Sequence, residues 1–262
     1  MDGVLAPGRP VRALGWTVIC FLVLPILVIF PISVTDRRFL SLPEHGISFE
    51  HYANLFTSPQ WLGSIGQSVV IGIVSAALAV TLGTLCAIGC WRLSSRASEI
   101  VRSLMLVPIV VPTIVYAIGI YRFWVDLRLL DTYAGVILAH TVTSIPYVVI
   151  TVSTSLAGFD ARLEQAARSL GASMRQTLWR VVLPSILPGV VSGAIFAFIH
   201  SWDELVIVLF IASRAIFTLP RRIWDGINEH LDPTMAAVAS ILILLSVLLL
   251  LLDMTVRRRR EG

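Results

Sequence analysis

The chain has 262 residues, of which 56% are hydrophobic and 14% charged, with a formal net charge of +4 and a mean hydropathy of +0.86. Soluble domains carry about a quarter of their residues as charged side chains, so this composition indicates an integral membrane protein. All 20 basic residues are arginine, and the absence of lysine excludes a Walker A phosphate-binding loop, and with it an ATPase site in this chain, as well as Schiff-base chemistry.

Six apolar stretches are long enough to cross a bilayer as helices, because a hydrocarbon core of about 30 Å needs about 20 apolar residues. They are residues 13–34, 64–90, 104–124, 133–157, 186–211 and 235–254. The first stretch is longer than a signal-peptide core and lacks a small-residue cleavage site, so we interpret it as a retained helix. The predicted fold is an all-α integral membrane domain with six transmembrane helices over residues 1–262.

Small residues recur at four-residue intervals in the second and fifth stretches. They are Ser75, Ala79, Gly83 and Ala87 in the second and Gly189, Gly193 and Ala197 in the fifth. Such residues let helix backbones approach each other in lipid, so both faces are predicted to pack against neighbouring helices. Kinks or bends are predicted at Pro108, Pro112 and Pro146.

A polar segment at residues 160–184 separates the fourth and fifth stretches and has a helical pattern of its own. Its apolar positions predict a short amphipathic helix and are Leu163, Ala166, Ala167 and Leu170. Asp160 is predicted to cap the start of this helix and Gly171 to end it. A second short helix is predicted over residues 173–183, ended by Pro184.

An amphipathic helix that carries arginine can also lie on lipid headgroups. The apolar face of this segment is small and rich in alanine, which favours close contact with another protein. We therefore interpret residues 160–184 as a docking surface, with the interfacial helix as the alternative.

The segment resembles the EAA loop of binding-protein-dependent ABC importer permeases, whose pattern is Glu-Ala-Ala, three intervening residues, Gly, nine intervening residues and then Ile-x-Leu-Pro. Ala166, Ala167, Gly171, Leu183 and Pro184 match this pattern. Gln165 stands at the glutamate position with Glu164 before it, and Val181 replaces the isoleucine. Further similarity in "SFEHYANLF", "LVPIVVPTIVYAIGIY" and "SWDELVIVLF" extends the resemblance over nearly the whole chain.

The resemblance implies a type I importer permease fold in which the loop between spans four and five forms coupling helices on a separate ATPase. The residues expected to couple to the ATPase are Glu164, Gln165, Ala166, Ala167, Leu170, Gly171, Leu183 and Pro184. The implied partners are two ABC ATPase subunits that hold ATP and Mg, a second permease expected to be a different chain, and a periplasmic or extracellular substrate-binding protein. No cofactor or metal is expected in this chain, and its surroundings are membrane lipid rather than nucleic acid.

The placement of arginine predicts the orientation. With the N-terminus inside the cell, thirteen arginines, including residues 257–260, fall on the cytoplasmic side. The positive-inside rule then predicts both termini and the 160–184 loop in the cytoplasm. The expected location is the cytoplasmic (inner) membrane of a bacterium.

Ionisable residues interrupt the fifth stretch at His200, Asp203 and Glu204. Carboxylates at membrane depth cost several kcal/mol and normally face a bundle interior or a water-filled cavity, so they are predicted to line a pathway that attracts a cation. Candidate cation–π partners, if they line the pathway, are Trp202, Tyr116, Tyr121 and Tyr147. Alternatively, the acids lie nearer the outer interface and pair with Arg214, Arg221 or Arg222.

The segment that begins "SWDELVIVLF" resembles the spermidine/putrescine permeases, which carry two adjacent aspartates here, followed by Thr-Leu-Pro. Asp203 and the Thr-Leu-Pro at residues 218–220 match, and Glu204 replaces the second aspartate. The resemblance implies a polyamine-like cargo, with an opine, γ-aminobutyrate or an aminophosphonate as alternatives on the same machinery.

Two other classes of function stay open, an independent ion-coupled carrier or channel and a membrane enzyme. A carrier usually shows internal repeats, which this sequence lacks. An enzyme needs clustered catalytic groups, whereas the five histidines are scattered and no HExxH or GxSxG motif is present. The outer loops are too short to capture a ligand alone, and candidate docking residues for a binding protein are Glu44, His45, Glu50, Asp225, Glu229 and Asp232.

Overall fold

The computed structural model describes residues 9–230 and 232–261, and the regular elements in this part of the chain are all helical. The α-helices are α1 Arg9–Ser33, α2 Glu50–Thr57, α3 Pro59–Leu93, α4 Arg96–Val110, α5 Thr113–Leu127, α6 Tyr133–Ala157, α7 Ala161–Ser169, α8 Met174–Thr177, α9 Leu183–Asp203, α10 Val206–Ile211, α11 Leu219–Asp225 and α12 Thr234–Glu261. Two π-helical turns follow α8 and α11 and span Leu178–Val182 and Gly226–His230.

Four helical segments among the described residues are long and apolar enough to cross a bilayer, namely α1, α3, α6 and the continuous segment Met174–Asp203. The number rises to five if α4 and α5, which meet at 105°, count as one span. The sixth predicted stretch falls on α12, whose apolar part Thr234–Leu248 is shorter than the other candidates. An all-helical membrane architecture is therefore confirmed, with four to five candidate spans.

The third predicted stretch, residues 104–124, is not one straight helix. Val111 is extended, with ψ of 125°, and Pro112 follows it as the N-cap of α5. A proline disfavours helical backbone at the residue before it, which explains why the helix breaks here. Helix α6, by contrast, continues through Pro146.

The fifth predicted stretch, residues 186–211, also has different bounds. Its helix begins earlier, because α8, the π-helical turn and α9 form one continuous segment, Met174–Asp203. It also ends earlier, because Glu204 is extended and the chain resumes helical structure only in α10. The prediction of one helix over 186–211 is wrong at both ends.

The described residues form two compact units. The first contains the chain up to Leu62 and the chain from Ile223 onward. In this unit the Tyr52 hydroxyl lies 2.8 Å from Ser33 Oγ and 2.7 Å from Ser240 Oγ. Because these partners belong to α1 and α12, one side chain on α2 ties the three helices together.

The second unit is Gly63–Arg222 and has α6 at its core. One apolar cluster joins α6 to α3 and α9, and a second joins it to α5 and α10. A Cβ at Gly83 would lie 2.8 Å from Val148 Cβ, and a Cβ at Gly193 would lie 2.6 Å from Thr151 Oγ1. Since Val148 and Thr151 are on α6, the predicted packing of both small-residue faces is confirmed.

Candidate functional site

The first arm of the 160–184 loop is α7, and its ends are set by local residues. Asp160 Oδ1 accepts a hydrogen bond from the Arg162 N–H at 2.9 Å, which confirms the predicted N-cap. Gly171 has φ of +87°, in the left-handed region that glycine adopts without a steric cost. The Ala172 N–H closes the helix end by donating to Ala167 O at 3.1 Å. The predicted helix and its termination are confirmed.

The second arm differs from the prediction. Ser173 and Gln176 form a reciprocal capping box at the start of α8. The helix then continues through the π-helical turn into α9, so Pro184 does not end it. Pro184 follows the π-helical turn, in which the Leu183 N–H donates to Leu178 O five residues back, so the hydrogen-bond register shifts just before the proline. The second arm is thus the beginning of the 30-residue segment Met174–Asp203.

Of the eight residues predicted to couple to an ATPase, five line two grooves, two are exposed outside them and one packs against the core. A groove of about 400 Å³ is lined by residues from both arms, including Ala167, Leu170 and Gly171. Leu170 is 89% exposed, so a large apolar side chain stands free at the tip of the loop. A groove of about 390 Å³ includes Glu164 and Gln165 in its lining.

The other three predicted residues lie outside these grooves. Ala166 and Pro184 are exposed. Leu183 is half-buried and packs against the apolar cluster formed by α3, α6 and α9. Leu183 therefore anchors the loop to the core instead of adding to its outer surface.

The two acidic residues at the end of α9 face different surroundings. Glu204 is buried, with 8% exposure, and its Oε1 accepts a hydrogen bond from the Ile207 N–H at 3.0 Å. It therefore caps the start of α10. Asp203 is exposed and makes no hydrogen bond or ion pair within the described residues. The alternative prediction, in which these acids pair with loop arginines, is not seen in this part of the chain.

The predicted aromatic residues and His200 do not form a single cluster. The rings of His200 and Tyr147 are 5.0 Å apart, and Trp202 stacks on Phe198 at 5.9 Å. Tyr116 lies on α5, and its hydroxyl donates to Ala139 O at 3.1 Å. The structure thus pairs His200 with Tyr147, whereas Tyr116 has its hydroxyl satisfied by the backbone of α6.

His140 lies in the contact between α6 and α9, as His200 does, but it is not among the predicted site residues. It is fully buried, and its Nδ1 lies 2.8 Å from Ser201 Oγ on α9. His140 and Tyr147 are two helical turns apart on α6, so they share one face. This spacing, together with the small residues of α9, is the signal in the sequence that points to the contact.

Asp131 is a second residue that the sequence pattern does not reveal. It lies between α5 and α6 and accepts hydrogen bonds from the backbone N–H groups of residues 213–216 and from the Ser213 hydroxyl. Burial raises the pKa of this carboxyl, but the four backbone donors outweigh that effect and hold the pKa well below its usual value. Asp131 thus holds the segment after α10 against the α5–α6 turn.

The residues predicted to dock a binding protein are partly brought together. Glu50 and Asp232 line one groove of about 480 Å³ in the first unit. Glu44 forms an ion pair with Arg37, and His45 Nδ1 lies 3.4 Å from Asp36 Oδ2. Asp225 lies at the end of α11. The side chains of Glu229 and of residues 257–260 lie outside the described part of the chain.

Comparisons with known proteins agree with this architecture. The family of binding-protein-dependent transport system inner membrane components matches residues 79–261. The chain is 31% identical over 250 residues, 95% of this chain and 97% of the relative, to the spermidine/putrescine transport system permease protein PotC of Haemophilus influenzae. It is 27% identical over 244 residues, 89% of each chain, to the trehalose transport system permease protein SugB of Mycobacterium tuberculosis.

A solved structure has the same fold. A chain of a bacterial ABC transporter involved in the import of the acidic polysaccharide alginate superposes with a TM-score of 0.65 at 16% identity, covering 97% of this chain and 98% of that one. A binding-protein-dependent ABC transporter implies a separate ATPase, a binding protein and a partner permease. The chain belongs to the binding-protein-dependent transport system inner membrane components and is a multi-pass permease of a bacterial ABC importer, with ATP hydrolysis assigned to a separate subunit.

Proposed function

We propose that this chain forms half of the translocation pathway of an importer for a polyamine-like cation such as spermidine or putrescine. All six predicted stretches cross the membrane in this proposal, with α4 and α5 as one bent span, and both termini lie in the cytoplasm. Two ATPase subunits carrying ATP and Mg act on the 160–184 loop. A second, different permease supplies the other half of the pathway, and an external binding protein delivers the cargo.

One observation carries the proposal, namely the continuity of the helical segment Met174–Asp203. At about 1.5 Å per residue, a helix of this length extends about 45 Å. It begins in the second arm of the loop and ends at Asp203. A displacement of the loop end can therefore reach the acidic end of α9 along one continuous helical segment.

The two acids have different roles in this proposal. Glu204 already serves the chain by capping α10. Asp203 is exposed and unpaired within the described residues, so its carboxylate is the one available to a cationic cargo. A negative charge in a pathway of low dielectric attracts a cation more strongly than the same charge does in water.

The aromatic residues near this end of α9 provide the wall of the proposed pathway. His200 and Tyr147 form one ring pair, and Trp202 adds an aromatic face that can hold an amine by cation–π attraction. We assign Tyr116 to holding α5 against α6, because its hydroxyl is used in that contact.

The similarity to PotC supports a polyamine cargo, whereas SugB, which is 27% identical to this chain, is named for trehalose transport. The test is uptake of labelled spermidine, putrescine, γ-aminobutyrate and trehalose into vesicles that hold the complete complex. We expect polyamine uptake that Asp203→Asn lowers about tenfold, the factor for a lost interaction of about 1.4 kcal/mol.

The matched control is Glu204→Gln, which keeps the acceptor oxygen for the Ile207 N–H while it removes the charge. Assembly of the complex should be the same in both variants. Uptake of trehalose or γ-aminobutyrate in place of a polyamine would contradict the proposed cargo. Equal loss of uptake in both variants would contradict the separate roles of the two acids.

A further inference from the structure

The C-terminal end of α3 contacts both arms of the 160–184 loop through one side chain. Arg92 Nη1 lies 3.3 Å from Glu164 Oε1 on α7 and 2.7 Å from Met174 Sδ at the start of α8. The two arms are also joined by a short turn around Gly171. Arg92 therefore connects the loop to a membrane helix that is distant from it in sequence.

The surroundings of this ion pair distinguish it from an ordinary surface pair. The side chains of Arg92 and Glu164 are 20% and 13% exposed, and the neighbouring Trp91 packs edge-to-face on Phe159 at 5.8 Å. The ion pair between Glu99 and Arg102 on α4 has side chains that are 62% and 44% exposed. Partly buried charges are screened less by salt, so the first pair is the stronger constraint.

The pair also has an unused donor. Arg92 Nη2 is buried without an acceptor among the described residues, while Nη1 reaches one oxygen of Glu164. A guanidinium and a carboxylate can also bind in a bidentate manner. A small movement of α7 toward α3 can therefore tighten this contact.

We propose that Arg92 and Glu164 are positioning residues that join the 160–184 loop to α3. A movement of the loop then reaches α3 through this ion pair, and it reaches α9 because the second arm of the loop continues into that helix. The functional consequence rests on the proposed function, whereas the contact itself is a property of the chain. In this assignment the charge of Glu164 is used within the chain, and Gln165 and Ala166 are the exposed residues offered to the ATPase.

The contact is tested first by amide hydrogen exchange of the α7 segment in the purified complex. We expect Arg92→Gln and Glu164→Gln each to speed exchange in α7 about fivefold, a factor in the range for a partly buried ion pair, with little change in α9. The exchanged pair R92E/E164R should restore protection. The control is Arg102→Gln, which breaks the exposed pair on α4 and should leave α7 exchange unchanged.

The consequence is tested by the amount of cargo moved for each ATP hydrolysed. Both single variants should retain the ATPase in full amount and move about fivefold less cargo per ATP if the pair transmits the movement, and R92E/E164R should recover the ratio. Unchanged α7 exchange in both single variants would overturn the proposal. Loss of the ATPase from both variants would also overturn it, since the residues would then be docking contacts.

Failure of the proposed function has a different signature. If the unaltered complex hydrolyses ATP but moves no cargo, the proposed function fails, while the exchange measurement still decides whether Arg92 and Glu164 hold the loop. If cargo moves but α7 exchange does not respond to either variant, only the inferred connection to α3 fails.

Discussion

At the scale of single residues, carboxylates organise the ends of helices in this chain. Glu204 accepts the Ile207 N–H at the break after α9, and Asp131 accepts four backbone N–H groups from residues 213–216. Irregular backbone leaves N–H groups without helical partners, and a buried unpaired donor is costly. These two acids satisfy such donors, so they stabilise the irregular segments on either side of α10.

The contribution of Asp131 depends on pH in a defined direction. Because its folded-state pKa is lowered, the stabilisation is complete at pH values above the ordinary value of 3.8 and is lost as the pH falls below it toward the folded-state pKa. We predict that Asp131→Asn lowers the free energy of unfolding by about 1 kcal/mol at pH 7, allowing for solvent screening at this half-exposed site.

Asparagine is the matched replacement, because Asp131 has φ of +54° and asparagine tolerates that conformation. The measurement is unfolding of the purified protein in detergent at several pH values. The difference between the two proteins should be constant from pH 7 to pH 5 and should shrink below pH 3.8. A difference that grows as the pH falls would contradict the assigned role.

Local contacts were predictable from the sequence, whereas distant ones were not. Asp160 and Gly171 make contacts with residues close to them in sequence, and their residue types are typical of helix ends. The pair of Arg92 and Glu164 joins residues 72 apart in sequence, and His140 and Ser201 are 61 apart. Such contacts depend on which helix faces pack together, and a single hydropathy profile does not contain that information.

At the scale of helices, the predicted apolar stretches were correct as regions but not as straight spans. Pro112 breaks the third stretch between two apolar segments, and because both segments are apolar the mean hydropathy does not reveal the bend. Pro184 predicts a helix end, yet the helix continues through it, after a π-helical turn at Leu178–Val182. Hydropathy reports where a chain is apolar, whereas helix bounds depend on backbone hydrogen bonds, and the two differ at these prolines.

The contact between α6 and α9 is predicted to tolerate no added volume. Gly193→Ala would place a Cβ 2.6 Å from Thr151 Oγ1 and 3.1 Å from Val148 Cα. Because Val148 Cα belongs to the backbone and cannot rotate away, we expect a loss of about 1–3 kcal/mol in the free energy of unfolding. Gly89→Ala is the matched control, since no atom beyond its chain neighbours and its own helix backbone lies within 4 Å of its Cβ position.

The control should be neutral or stabilising by up to about 1 kcal/mol, because alanine favours the helix over glycine. Both variants are compared by unfolding in the same detergent. Equal stability of Gly193→Ala and Gly89→Ala would show that α9 does not press on α6 as closely as the structure indicates.

At the scale of the whole molecule, family membership assigns ATP hydrolysis to another subunit, so the chain needs a surface that receives mechanical work. The 160–184 loop has the features of such a surface, with an exposed Leu170 at its tip and Gly171 in a left-handed conformation. Its second arm is the start of the segment Met174–Asp203. We propose that ATPase subunits act on this loop to open and close the pathway.

The most direct test is polyamine uptake by vesicles that hold the complete complex, measured with the parent chain, with Gly171→Val and with Gly158→Val. At φ of +87° valine is strained by about 1–2 kcal/mol, whereas Gly158 has a helical φ of −88° and admits a side chain. We expect Gly171→Val to lose both the bound ATPase and ATP-dependent uptake, and Gly158→Val to keep both. Uptake by the purified chain without its ATPase, or full ATPase binding and transport by Gly171→Val, would contradict this proposal.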